Sequence, residues 1–434
     1  MTPAARLSAA IDVLGDIETR RRPAPDALKD WGLSHRFAGS SDRAAIAGLV
    51  YDALRRRASA GFVMGEATPR AVALGMLRLE RGLDPDAIAR LADGARYAPA
   101  PLTTAERHAL EANSLADAPA HVRGDYPEWL DPSLARVFAD ERAEEGAALA
   151  RRAPLDLRVN ALKADREKAA QELAHLSPAP TPWSPFGLRI LIEADAKSPP
   201  IHAEPAFLKG HVEVQDEGSQ LAAVLTGAKP GEQAIDLCAG GGGKTLALAA
   251  LMDNHGQIYA TDFDMRRLAP IHARLARAGA RNVQVRTPRR GDRDVLADQA
   301  GRADLVLIDA PCTGTGTWRR NPDAKWRVRP GALAERVKEQ AGLLDRATSL
   351  VKPGGRIAYV TCSVLAEEND DQVRTFVARH PEFAPVAAEA IASALGMRAN
   401  EFLAAVRVSR EGLLMTPRRT GTDAFYISLL QCNL

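Results

Sequence analysis

Asp309-Ala310-Pro311-Cys312 sets a carboxylate and a thiol three residues apart. The apolar run 305–308 ahead of them reads as a buried parallel strand. Both groups then fall where such a strand ends, at the edge of an open α/β sheet that carries ligands. Pro311 fixes one backbone angle before the thiol, and the Gly and Thr residues after it favour a loop. Arg319, Arg320, Lys325, Arg327 and Arg329 follow, with Trp318 and Trp326 among them. That mixture suits a phosphate backbone and stacked bases, and it equally suits a solvated basic loop. A second thiol, Cys362 in Thr361-Cys362-Ser363, follows 356–360, which reads as another strand. A lone free cysteine is most often a small buried apolar residue, but two at adjacent strand ends point to thiol chemistry.

Asp236-Leu237-Cys238-Ala239-Gly240-Gly241-Gly242-Gly243-Lys244-Thr245 ends one strand and opens a helix, where backbone N–H groups and the helix dipole meet a ligand. Three ligands compete for it. A Walker phosphate loop needs glycine at the place of Cys238, and a dinucleotide fingerprint needs Gly or Ala at the place of Thr245. S-adenosylmethionine is the third, with Asp262 on the next strand available for its ribose hydroxyls.

The rest of the chain bounds these readings. With 434 residues, 46% hydrophobic and 26% charged, two or three globular domains are expected. No apolar run is long enough to span a membrane and the N-terminus lacks a signal-peptide pattern, so a cytoplasmic, monomeric protein is expected. Four cysteines without a C-x-x-C pair argue against a zinc site, and the nine histidines form no cluster; no metal is expected. Net charge is +2, but residues 261–330 hold 15 Lys and Arg against 8 Asp and Glu, the concentration expected of a polyanion-binding face.

Residues 1–145 read as all-helical, with Ser40, Ser41 and Asp42 capping a helix over 44–54 that ends in Arg55, Arg56 and Arg57. Residues 146–210 read as a small α/β module. From 211 to 434 strand, loop and helix alternate, which implies an α/β, Rossmann-like sheet covered on both faces and closed by an antiparallel hairpin over 413–415 and 424–430. One helix is expected over 265–278.

Taken together, Gln215-Asp216-Glu217-Gly218-Ser219, the glycine loop, residues 309–323 with Lys325-Trp326, and Thr361-Cys362-Ser363-Val364 with Glu367-Glu368-Asn369 resemble the RNA cytosine-5 methyltransferases of the Sun/Fmu type, most closely the bacterial enzymes acting on 16S rRNA. The helical start resembles that family's NusB-like RNA-binding domain, and Leu157-Arg158-Val159-Asn160 its small RRM-like module. Gly240 and Gly241 stand where the family usually has Ala and Pro. Arg289-Arg290 interrupts the run after the third strand, which displaces Asp292 from the usual adenine contact.

The resemblance implies S-adenosyl-L-methionine held by Cys238, Ala239, Gly240, Gly241, Gly242, Gly243, Lys244, Asp262, Arg267 and Asp309. It implies RNA, with rRNA favoured, held by Pro311, Arg319, Arg320, Asn321 and Lys325. Carbon 5 of cytosine is a poor nucleophile until a thiolate adds to carbon 6 and converts the ring to an enamine. The family assigns that attack to Cys362 and release of the product to Cys312, with Asp309 also catalytic. Two other readings share these features: a methyltransferase acting on tRNA, and an RNA-binding assembly factor whose catalytic half is degenerate.

Overall fold

Apolar side chains spaced three and four residues apart bury one face of each N-terminal helix, and those faces close on one another. The computed structural model describes residues 1–192, 198–288 and 294–433. It divides into two compact units, the first made of Met1–Arg152 with Trp318–Arg329. Helices Pro3–Arg20, Ser40–Arg55 and Pro69–Leu79 enclose a core of Leu7, Val13, Ile46, Val50, Leu74 and Met76. Thr2 caps the first of them by accepting from the Ala5 N–H.

Two expectations about these helices need correction. The helix over 44–54 begins at Ser40 after Gly39, without a side-chain cap, and Asp42 instead accepts from Arg6 Nε at 2.9 Å. Arg55 does not reach solvent at the helix end either. It is buried and donates to Asp52 and to the Arg319 carbonyl, while Arg57 opens the next helix, Arg57–Met64. A carboxylate gains more from a guanidinium than from backbone N–H groups alone, which is why Asp42 turns to Arg6.

The second unit comprises Ala153–Leu191, Pro199–Thr317 and Pro330–Leu434. Its small antiparallel sheet has four strands among the described residues: β1 (Leu155–Val159), β2 (Ala179–Pro180), β3 (Gly187–Ile190) and β4 (Val212–Val214), in the order β2-β3-β1-β4. Asn160, at the end of β1, donates to the carbonyls of Gly210 and Ala278 at 2.9 and 2.8 Å. Glu217 accepts from the N–H groups of Trp183 and Ser184, so hydrogen bonds as well as apolar packing fix the small sheet on the large one.

The large sheet contains β5 (Gln233–Asp236), β6 (Gln257–Ala260), β7 (Val283–Val285), β8 (Ala303–Asp309), β9 (Val351–Thr361), β10 (Phe383–Pro385), β11 (Arg407–Val408), β12 (Leu413–Met415) and β13 (Phe425–Cys432). Its order is β11-β12-β13-β9-β8-β5-β6-β7, with β10 also paired to β13. Strands β5 to β9 pair in parallel, and the chain order reverses between β5 and β8. A reversal of that kind opens a crevice at the carboxyl ends of the strands, which is where ligands enter such folds. Strand β13 lies antiparallel between β9 and β12. The helix expected over 265–278 is two, Met265–Leu268 and Ile271–Ala278, because Pro270 has no N–H to continue the ladder.

Candidate active site

The glycine loop follows β5 and turns into the helix Gly243–Leu251. Gly240 and Gly242 have φ of +50° and +83°, in the left-handed region that glycine enters at little cost. A Cβ on Gly242 would lie 2.5 Å from Ile271 Cγ1, so the close approach of that helix also requires glycine. The Gly240 N–H donates to Asp262 Oδ2 and the Asp264 N–H to Asp262 Oδ1, both at 2.9 Å. Asp262 is fully buried, with Arg267 Nη1 3.9 Å away. Its carboxylate therefore shapes the loop and retains lone pairs for a ribose hydroxyl.

Lys244 Nζ lies 2.8 Å from Asp309 Oδ2 and 4.9 Å from the centre of the Phe425 ring. The ion pair joins the loop after β5 to the end of β8 across the crevice. Cys238 is buried beside the loop, and burial pushes its thiol well up. A thiol raised in this way is protonated near neutral pH.

Asp236 is buried at the end of β5 and accepts from the Thr245 hydroxyl at 2.7 Å. Burial pushes its pKa from 3.8 up to about 7, with Asp309 adding to the rise. The folded state thus binds a proton that the unfolded chain gives up near pH 4. The resulting stabilisation is complete below about pH 4 and is lost as pH rises through about 7. Asp236→Asn, which stays neutral, should flatten that decline; denaturant midpoints near pH 5 and near pH 8 check it, and an unchanged decline would place the proton elsewhere.

The two thiols end neighbouring parallel strands, since Asp309 pairs with Val360 between β8 and β9. Cys312 Sγ and Cys362 Sγ lie 3.3 Å apart, both half-buried. The surrounding backbone is interwoven: the Ala310 N–H donates to the Val360 carbonyl, the Gly316 N–H to the Cys362 carbonyl, and the Val364 N–H to Thr315 Oγ1. The hydrogen bond with Cys362, helped by burial, pushes the Cys312 thiol well up. The Cys312 sulfur is therefore a protonated thiol near neutral pH.

The protein-family model described as 16S rRNA methyltransferase RsmB/F matches residues 223–431. That span of the chain belongs to the RsmB/F family. Ribosomal RNA small subunit methyltransferase B of Salmonella paratyphi B and of Salmonella heidelberg are each 36% identical over 263 residues, 60% of this chain and 59% of theirs. The match thus spans less than two thirds of the length of these curated relatives. The crystal structure of a protein designated PH0851 superposes with a TM-score of 0.69 at 25% identity, covering 99% of both chains. NSun6 from Pyrococcus horikoshii, with SFG, superposes at 0.59 and 21% identity over 71% of this chain and 98% of its own, a likeness of fold.

Within the RsmB/F span, the basic segment departs from the sequence-based reading. Trp318–Arg329 belongs to the helical unit, where Trp318, Arg319 and Lys325 are buried. Lys325 Nζ donates to the Arg55 carbonyl at 3.1 Å and lies 5.0 and 5.9 Å from the ring centres of Trp326 and Trp318. Burial pushes its pKa down to about 7, against the opposing pull of Asp125. Trp326 Nε1 donates to the Leu54 carbonyl, and Asp323 accepts from the Ala24 N–H. The expectation of Arg319 and Lys325 as an RNA-facing pair is therefore corrected: the two tryptophans that suggested stacked bases instead pack beside the ammonium inside the helical unit. Arg320 is half-buried and Asn321 exposed. Lys325→Met should leave the slope of log RNA affinity against log salt unchanged, since a buried ammonium releases no counterion; a slope reduced by about one would return it to the RNA face.

Asp292 lies outside the described residues. Among the described residues no group of His, Cys, Asp and Glu is arranged to hold a metal ion, and no helix is long and apolar enough to cross a membrane. The sequence reading passed over Gln340, whose side chain donates to the Pro311 carbonyl at 2.9 Å. The helix Pro330–Thr348 buries Gln340, Leu344 and Ala347 on one face, and an amide in such an apolar stripe was the available signal.

Proposed function

We propose that this chain transfers a methyl group from S-adenosylmethionine to carbon 5 of a cytosine in RNA, with 16S rRNA as the substrate. The observation that carries the reading is the pair of thiols 3.3 Å apart at the ends of β8 and β9. A structural cysteine has no need of a second thiol in contact with it. Cytosine-5 chemistry needs a thiolate to attack, and a second acid–base group beside it can handle the departing proton. The glycine loop fits the donor, because positive φ at Gly240 and Gly242 leaves its backbone open, and Asp262 and the Lys244–Asp309 pair stand at the same strand ends. S-adenosylmethionine supplies an electrophilic methyl group there.

In this reading the Cys362 thiolate forms a bond to carbon 6 and the ring becomes an enamine, so that carbon 5 takes the methyl group. Once Cys362 is bonded to carbon 6, Cys312 releases its thiol proton to water and, as a thiolate, accepts the proton lost from carbon 5, while the electrons of that C–H bond expel the Cys362 sulfur. The raised pKa of Cys312 suits a sulfur that is protonated when the reaction begins. Support for rRNA comes from the RsmB/F match and from the names of the Salmonella relatives. The test is methyl transfer to 16S rRNA and to tRNA, with bisulfite mapping of RNA from cells with and without the protein. New 5-methylcytosine in 16S rRNA supports the reading. Modification of tRNA alone would reassign the substrate, and failure to bind S-adenosylmethionine would leave an RNA-binding assembly factor.

A further inference from the structure

The short helical turn Ala366–Glu368 and the residue after it, Asn369, reach both cysteine loops from one place. Glu368 is fully buried. Its carboxylate accepts from the Thr313 N–H at 2.8 Å, from the Thr313 hydroxyl at 2.5 Å and from Gln340 Nε2 at 3.1 Å. Gln340 Nε2 also donates to the Pro311 carbonyl, so Cys312 is held on both sides, through Pro311 and Thr313. The neighbouring Asn369 does the same for Cys362. Its Oδ1 accepts from the Thr361 hydroxyl at 2.5 Å, and its Nδ2 donates to the Ser363 carbonyl at 2.9 Å. The turn is itself anchored to β9 by the Tyr359 hydroxyl, which donates to the Glu368 carbonyl at 2.6 Å.

Two consecutive residues thus bracket two cysteines that are 50 positions apart in sequence. A main-chain anchor would suffice to hold a loop. Burying a whole carboxylate without an ion pair among the described residues costs desolvation that a neutral side chain would avoid. Something beyond anchorage is needed to explain an acid there, and the charge supplies it. Placed beside Cys312, a fixed negative charge disfavours a second anion and adds to the rise of that thiol.

We infer that Glu368 and Asn369 are positioning residues that set the separation of the two reacting thiols, and that the Glu368 carboxylate further decides that Cys312 is the one to carry the proton. The inference rests on the proposed cytosine-5 reaction for its catalytic consequence, but its electrostatic part does not.

Glu368→Gln preserves shape and one acceptor oxygen while removing the charge, so two readouts separate the alternatives. The first uses no RNA: alkylation of the wild-type protein and the variant across pH, with each cysteine followed by peptide mass spectrometry. The Cys312 profile should move to lower pH. An unmoved profile overturns the electrostatic role whether or not the chain methylates RNA. The second is turnover with RNA and S-adenosylmethionine. Here kcat should fall by about 100-fold, the scale of a misplaced reacting group, with S-adenosylmethionine affinity unchanged and covalent protein–RNA adduct accumulating. A loss of kcat and cofactor affinity together, with no added adduct, would reduce Glu368 to a structural residue. If Glu368→Gln fails to fold, Thr313→Val removes one of its hydrogen bonds and keeps its charge; kcat should then fall while the Cys312 profile stays in place. A moved profile in that variant would overturn the charge assignment. Were the wild-type protein to lack methylation altogether, the cytosine-5 reading would fail while the alkylation result still stood.

Discussion

Cys362→Ala is expected to abolish methylation and to leave no RNA attached to the protein, whereas Cys312→Ala should still attack and methylate but stall before release. The opposite outcomes follow from the division of labour between two sulfurs 3.3 Å apart. Without Cys362 there is no bond to carbon 6 and no enamine, so the remaining site binds both substrates without reacting them. The loss in kcat should approach that of removing a nucleophile entirely, on the order of 10^6-fold. Without Cys312 the methylated adduct keeps its carbon 5 proton and the Cys362–carbon 6 bond persists. Denaturing gels with RNA and cofactor read the difference directly. An adduct with Cys362→Ala and none with Cys312→Ala would reverse the roles, and an adduct with neither would remove the release role of Cys312.

Asp262→Ala should weaken S-adenosylmethionine binding by about 1–3 kcal/mol, the scale of a buried hydrogen-bonding group left without its charged partner. Two causes add here. The carboxylate is the acceptor available to a ribose, and it also holds the Gly240 and Asp264 N–H groups at 2.9 Å. Its loss therefore removes a contact and releases the loop that makes the others. Calorimetry on the wild-type and variant proteins measures the change. Asp262→Asn, which keeps one acceptor oxygen, should fall between them. An affinity unchanged in Asp262→Ala would place the ribose elsewhere.

The alternation of strands and helices from β5 onward was legible because a strand buried on both faces reads as an apolar run and the loop after it as glycine or proline, both short-range properties. The break at Pro270 was legible in the same sense, since a proline's missing N–H acts within one turn, although the apolar spacing on either side suggested one helix. The insertion of β13 between β9 and β12 was not legible as such. A hairpin can be read from its turn, but which parallel strand it joins depends on an edge made by residues 65 to 75 positions earlier.

The glycine loop, Asp262, Asp309 and both cysteines stood out by type and spacing, because the chemistry needs those side chains at strand ends whatever the rest of the chain does. By itself the sequence determined the α/β sheet, the edge where chemistry takes place and the groups able to perform it. Only the tertiary structure decided which partner each charge received. Lys325 looked like a phosphate ligand until its ammonium met the Arg55 carbonyl, 270 residues away in sequence. Glu368 was one residue of the Glu367-Glu368-Asn369 stretch, with no partner legible nearby, until Thr313 and Gln340 enclosed it. The reason is physical: backbone sterics and side-chain periodicity act over a few residues, so a local stretch reveals them. The fate of a charge turns on desolvation and on donors or acceptors supplied by remote parts of the chain, and those come together only when the chain folds.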